Sequence, residues 1–157
     1  MSKILLILHV LAAVIAVGPV TVAGSMFPAA VRRAAAAPDK PESAAAVRLL
    51  HRICRVYAGV GLAVPVFGFA TASSMHVLGS AWLIVSIVLT GVAAVVLALL
   101  VLPAQEVAIA GLNGSDADAA TVAAQIRRLA MLTGTFNLLW ATVTILMIVR
   151  PGSSTGA

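Results

Sequence analysis

The chain is short of charge. Asp, Glu, Lys and Arg together make up 10% of its 157 residues, where soluble domains carry about a quarter. A soluble fold of this size needs more polar surface, so lipid must cover much of the molecule. Cysteine is nearly absent as well. Cys54 stands alone, which excludes an intrachain disulfide and a metal site built from thiolates. There is no CxxCH, no phosphate-binding glycine loop, no paired carboxylates and no nucleophile–base–orienter set. Soluble-enzyme chemistry therefore finds no support, and no soluble substrate can be identified. No carboxylate or lysine falls inside a long apolar run. Ion- and proton-coupled carriers are built on such groups and on matched repeats of broken helices, so transport is disfavoured.

What is present is apolar. Hydrophobic residues make up 62% of the chain, and mean hydropathy is +1.12. Charge is missing between Lys3 and Arg32, between Arg55 and Glu106, and between Arg128 and Arg150. The middle gap is about twice the length of one bilayer span, so it holds two; read as one span, it would leave roughly 20 apolar residues unexplained. A helix satisfies its own backbone in lipid, and barrel-type alternation is absent. The expectation is an all-α, four-helix transmembrane bundle occupying residues 1–157 as one domain, with nothing outside the bilayer large enough to form another.

The first span is read at about residues 4–26, with Pro19 loosening its second half. Val22, Ala23 and Gly24 resemble a signal-peptide cleavage site, but Arg32 and Arg33 follow, and a secreted start would place them outside. A hydrophilic connection with prolines at 28, 38 and 41 comes next. Ser43 is the expected N-cap of a helical lead-in to the second span, residues 56–71. Residues 72–75 make a tight hairpin. The third span covers residues 77–102 and ends at Pro103. After the acidic loop with its Asn113-Gly114 turn, Ser115 and Asp118 have capping-box spacing. A short interfacial helix then feeds the fourth span, residues 129–149.

Orientation follows from loop charge. Arg32, Arg33, Lys40, Arg48, Arg52, Arg55, Arg127 and Arg128, eight of the ten basic residues, flank the first and third loops. Lys3 and Arg150 are on the other side. The positive-inside rule then places both termini outside the cytoplasm, in a multi-pass plasma-membrane protein. The net charge of +5 is explained by helix-end residues and anionic lipid, with no need for nucleic acid.

Three sets of residues are candidate sites. His9 in the first span and His76 at the start of the third both fall toward the extracytoplasmic face. Paired imidazoles there would suit haem iron, copper or a proton relay; otherwise they are ordinary interfacial or helix-bridging polar residues. Arg48, His51, Arg52 and Arg55 share one face of the lead-in helix, a pattern suited to anionic phospholipid headgroups or an acidic partner. Asn137 and Trp140 lie three apart at depth in the fourth span, where they face protein, in this chain or in another subunit. Gly59, Gly61, Pro65 and Gly68 in the second span suggest close helix packing and a bend.

The segments LLILHVLAAVIAVGPV with His9 and Gly18, HRICRVYAGVG (51–61) and MIVRPG (147–152) resemble a widespread family of small bacterial four-helix integral membrane proteins. More distantly, the chain is similar to copper-resistance and haem-biosynthesis membrane proteins, which carry a histidine on the first helix; that likeness implies a cofactor role for His9. The alanine-rich composition resembles that of GC-rich actinobacterial proteins, whose respiratory supercomplexes carry small helical subunits. The resemblance thus implies an accessory or scaffold subunit beside larger integral membrane proteins.

Overall fold

Four helical rods account for nearly all of the computed structural model, which describes residues 2–112 and 118–152. The Asn113-Gly114 turn and Ser115 lie outside the described residues. The first rod is α1 (Ser2–Ala36). The second is α2 (Pro41–Val60) followed by α3 (Ala63–Ser74). The third is α4 (Ala81–Val95), a π-helical stretch (Val96–Val101) and α5 (Leu102–Leu112). The fourth is α6 (Ala119–Val149). All four are long and apolar enough to cross a membrane, so the chain is a multi-pass membrane protein.

The rods are longer than expected. At 31 to 34 residues each measures roughly 45–50 Å, against about 30 Å of hydrocarbon. The surplus collects at the end that holds the basic loops. There Phe27, Val31, Ala34, Val47, Ala108, Ile126 and Leu129 form a core drawn from every rod. Arg32, Arg33, Arg48, Arg52, Arg127 and Arg128 are exposed around it. A basic helical head therefore continues the spans at that end, where only a helical lead-in to the second span and a short interfacial helix before the fourth were expected.

Several expected boundaries are corrected, for local reasons. The connection after the first span is helix as far as Ala36: the Arg- and Ala-rich stretch favours helix, and α1 runs through both Pro19 and Pro28. The true turn is residues 37–40, and Pro41 opens α2 at a position where a missing N–H costs nothing. Lys40, not Ser43, is the N-cap residue. Asp118 is itself the N-cap of α6, its Oδ1 accepting from Thr121 N at 2.6 Å. From there α6 is unbroken, so no separate interfacial helix precedes the fourth span.

Pro65 and Pro103 act differently. Pro65 offers no N–H to Gly61 O, and the backbone tightens there, with Leu62 N donating to Gly59 O and Val64 N to Gly61 O, both at 3.1 Å. This separates α2 from α3. Pro103 does not end its rod. The π-helical stretch just before it takes in one extra residue, and α5 continues to Leu112. One inserted residue turns the following face by about 100°. Val101, Gln105 and Ala108 are thereby brought onto the buried side.

The hairpin between the second and third rods occupies residues 75–80, later than expected. His76 has φ 56°. Its N–H donates to Ser73 O at 3.2 Å, Val77 N donates to Ala72 O at 3.2 Å, and Val77 packs on the cluster containing Ala72. This is a Schellman motif with histidine in the left-handed position usually taken by glycine. His76 therefore ends the second rod and does not begin the third.

α1 packs along α2 and α3 and against α6, while α4 and α5 pack against α6; α2 meets α5 to close the ring. A middle core joins Val20, Ala93, Val96, Leu97, Val101 and Phe136, with Tyr57 and Trp140 against it. At the terminal end Ala72, Trp82 and Leu83 pack with Met147. Ile4, Val14, Leu62, Val66, Ile145 and Ile148 are among the large apolar side chains that face outward along the bundle, as a lipid-covered surface requires.

Candidate functional site

The arginine face of α2 is divided by its neighbour. Arg48, Arg52 and Arg55 are exposed, but the His51 side chain, at 13% exposure, turns toward α5. Gln105, fully buried, gives its amide N–H to Cys54 Sγ at 3.6 Å. Its Oε1 therefore faces His51, and His51 Nδ1 donates to it at 3.0 Å. The other ring nitrogen, Nε2, lies 3.7 Å from Glu106 Oε1. Arg48, His51, Glu106, Ile109 and Ala110 line an open groove of about 470 Å³. His51 sits one helical turn beyond Arg55, about 6 Å along the axis.

Neither Gln105 nor Glu106 was a candidate from sequence. The available signal was the run of Val101, Gln105 and Ala108 at steps of four and three, hidden by reading Pro103 as a terminator. Ser25, Trp82 and Val64 were also missed.

The two candidate histidines are at different levels. His9 Nδ1 donates to Val64 O at 3.0 Å, in the first turn of α3 after the break. Its ring lies against Gly68, where an added Cβ would stand 3.0 Å from His9 Cε1. His76 is eight residues beyond Gly68, about 12 Å along the axis, and exposed in its turn. Among the described residues no group of three or more His, Cys, Asp or Glu side chains is placed to hold a metal.

The Asn137 and Trp140 stripe makes two separate contacts. Asn137 Nδ2 donates to Ser25 Oγ on α1 at 3.1 Å. Trp140 stands edge-on to Phe136, centroids 6.4 Å apart, at the middle core. One turn before Asn137, Thr133 packs its methyl on Gly24, where an added Cβ would stand 3.0 Å from it. Thr135, Thr142 and Thr144 return their hydroxyls to the carbonyls of Met131, Leu138 and Trp140. In the second rod only Gly68 is a close-approach glycine. An added Cβ at Gly59 meets nothing within 4 Å, Gly61 and Pro65 mark the break, and Pro65 is exposed.

At the terminal end the Arg150 guanidinium lies 5.7 Å from the Trp82 ring centroid. Arg150 also closes α6 in a left-handed conformation, its N–H donating to Leu146 O. At the basic end the Thr121 N–H holds the Asp118 carboxyl below its ordinary range.

The chain matches no family model, no curated protein and no solved structure.

Proposed function

We propose that the chain is a non-catalytic accessory or scaffold subunit of a larger plasma-membrane protein complex, with its arginine-bearing loops in the cytoplasm and both termini outside. A respiratory oxidase supercomplex is the concrete case, following the resemblance noted above. One observation carries the reading. At depth His9 Nδ1 and Asn137 Nδ2 end on neighbouring helices of the same chain, Asn137 Oδ1 and Thr133 Oγ1 are buried without a hydrogen-bond partner in it, and the projecting head turns its arginines outward. A bundle with polar atoms still to be paired at depth and a projecting cationic surface is suited to docking on larger integral subunits that present acid.

A second reading, a haem- or metal-binding redox protein, has one observation in its favour. With Nδ1 donating to Val64 O, His9 keeps the Nε2 lone pair for a metal; His76, at another level, does not share that site.

Affinity purification from native membranes in mild detergent, with an absorbance spectrum of the product, tests both. Stoichiometric co-purification with larger membrane proteins is the expected result. Repeated isolation as a lone, colourless monomer would sink the first reading. A Soret band that disappears in His9→Ala would replace it with the second.

A further inference from the structure

We propose that the cleft between the third rod and α6 holds one anionic phospholipid, of the phosphatidylglycerol type, in the leaflet at the basic end. The inference rests on the transmembrane bundle and is independent of the accessory-subunit reading.

The cleft is apolar at its inner end and cationic at its outer end. Leu99, Leu100, Pro103 and Val107 line it from the third rod, Gln125 and Arg128 from α6. The local sequence makes the hollow. Pro103 has no N–H for the helical ladder, the backbone before it is widened into a π-helical turn, and the short Pro103 side chain leaves space between Leu100 and Val107.

The register of the two walls sets the order of groups. The rods run antiparallel, with Ala108 beside Ile126 and Leu129 at one end and Trp82 beside Met147 at the other. Gln125 Oε1 lies 3.8 Å from where a Cβ on Gly111 would stand. Arg128, three residues further along α6, is therefore level with Ala108. Leu99 and Leu100 come eight or nine residues before Ala108, roughly 12 Å nearer the middle of the bilayer. A phospholipid of that leaflet presents the same order, phosphate outside and acyl chain inside.

Size and charge select the occupant. The hollow measures about 140 Å³, below the ~300 Å³ at which pockets for compact ligands and cofactors begin. It accepts a length of chain, not a ring system. Leu99 is 67% exposed, so a chain seated there stays continuous with the surrounding hydrocarbon. Arg128 is exposed and, among the described residues, pairs with no carboxylate. Its planar fork matches a phosphate. Gln125 makes no hydrogen bond among the described residues, so its amide can donate to a second phosphate oxygen or pair with a headgroup hydroxyl. None of the described residues lining the cleft is acidic, and Arg127 stands next to Arg128 in the sequence. A cationic headgroup thus meets repulsion and no counter-charge, whereas a glycerol headgroup leaves the phosphate charge uncancelled.

The test uses the full chain, delipidated in detergent and examined by native mass spectrometry. Phosphatidylglycerol and phosphatidylethanolamine of identical acyl chains are the probes. The glycerol lipid should bind more tightly, at one per chain. Arg128→Gln should weaken it about tenfold, the scale of a charge-assisted hydrogen bond, and erase its advantage. Leu100→Trp, at a partly exposed position, fills the hollow with Arg128 intact and should weaken both lipids. Arg33→Gln, at the same end outside the cleft, should change neither. Unchanged circular dichroism checks that each variant is folded. Equal binding of the two lipids, or an ethanolamine preference, would overturn the proposal. So would equal losses in Arg128→Gln and Arg33→Gln, which mean diffuse attraction to the basic head, or undiminished binding in Leu100→Trp.

Discussion

His51 and Gln105 join the second rod to the third through a single hydrogen bond, Nδ1 to Oε1 at 3.0 Å. Gln105 is completely buried and serves two partners, His51 and Cys54. Replacing it with leucine keeps the volume and strands the imidazole donor. Gln105→Leu should therefore destabilise the bundle by ~1–3 kcal/mol. His51→Leu/Gln105→Leu, which removes both polar partners, should recover part of that loss. Thermal unfolding in detergent measures the cycle, and strictly additive single effects would show that the bond carries no coupling.

The glycines of the bundle should separate into two groups. At Gly68 an added Cβ meets the His9 ring at 3.0 Å, so Gly68→Ala must move the imidazole off Val64 O. A cost of ~1 kcal/mol is expected from overpacking, relieved in the His9→Ala background. At Gly91 and Gly134 an added Cβ meets nothing within 4 Å. Alanine there should stabilise by ~0.5–1 kcal/mol through helix propensity alone. Melting temperatures that fall at Gly134 and hold at Gly68 would contradict the packing described.

His76 occupies a left-handed conformation with φ 56°, which costs an L-residue roughly 1–2 kcal/mol and glycine very little. His76→Gly should raise the unfolding temperature and His76→Val should lower it, since a β-branched residue tolerates this region worst. The reverse order would show that the imidazole itself contributes there.

The Asp118 cap gives the start of α6 a dependence on pH. Its carboxyl is held below the ordinary range by the Thr121 N–H. The folded value is thus lower than the unfolded one. The cap's contribution is complete above the unfolded value and is lost as pH falls through the lowered folded value. Hydrogen exchange at the Thr121 amide should accelerate over that acidic window. Asp118→Asn should keep a neutral cap and remove the pH dependence; an unchanged profile in that variant would assign the effect elsewhere.

The four spans were legible because charge gaps report lipid burial directly, whatever the local backbone does. Their ends were not. Pro28 read as part of a hydrophilic connection and Pro103 as the end of a span, yet α1 passes through the first and a π-helical turn absorbs the second. Both outcomes depend on packing that one segment cannot encode. The Schellman turn was hidden because its left-handed residue is histidine, so the usual glycine signal is missing. The basic face of α2 was visible in its spacing. The inward turn of His51 was not, since it follows from the phase of α5, which the π-helical stretch resets. The Asn137–Ser25 contact was foreseen only as a need for some polar partner.

The helical rods that overshoot the hydrocarbon have a mechanical consequence. The fourth leaves the apolar region as unbroken helix with no proline or π-helical turn in it, and the head shares a core drawn from all four. A thinner bilayer is met by tilting the apolar half, and the unjointed rod would carry that tilt outward as a sideways swing of the loops. A change in bilayer thickness would then be felt at the exposed arginines of the head as a displacement.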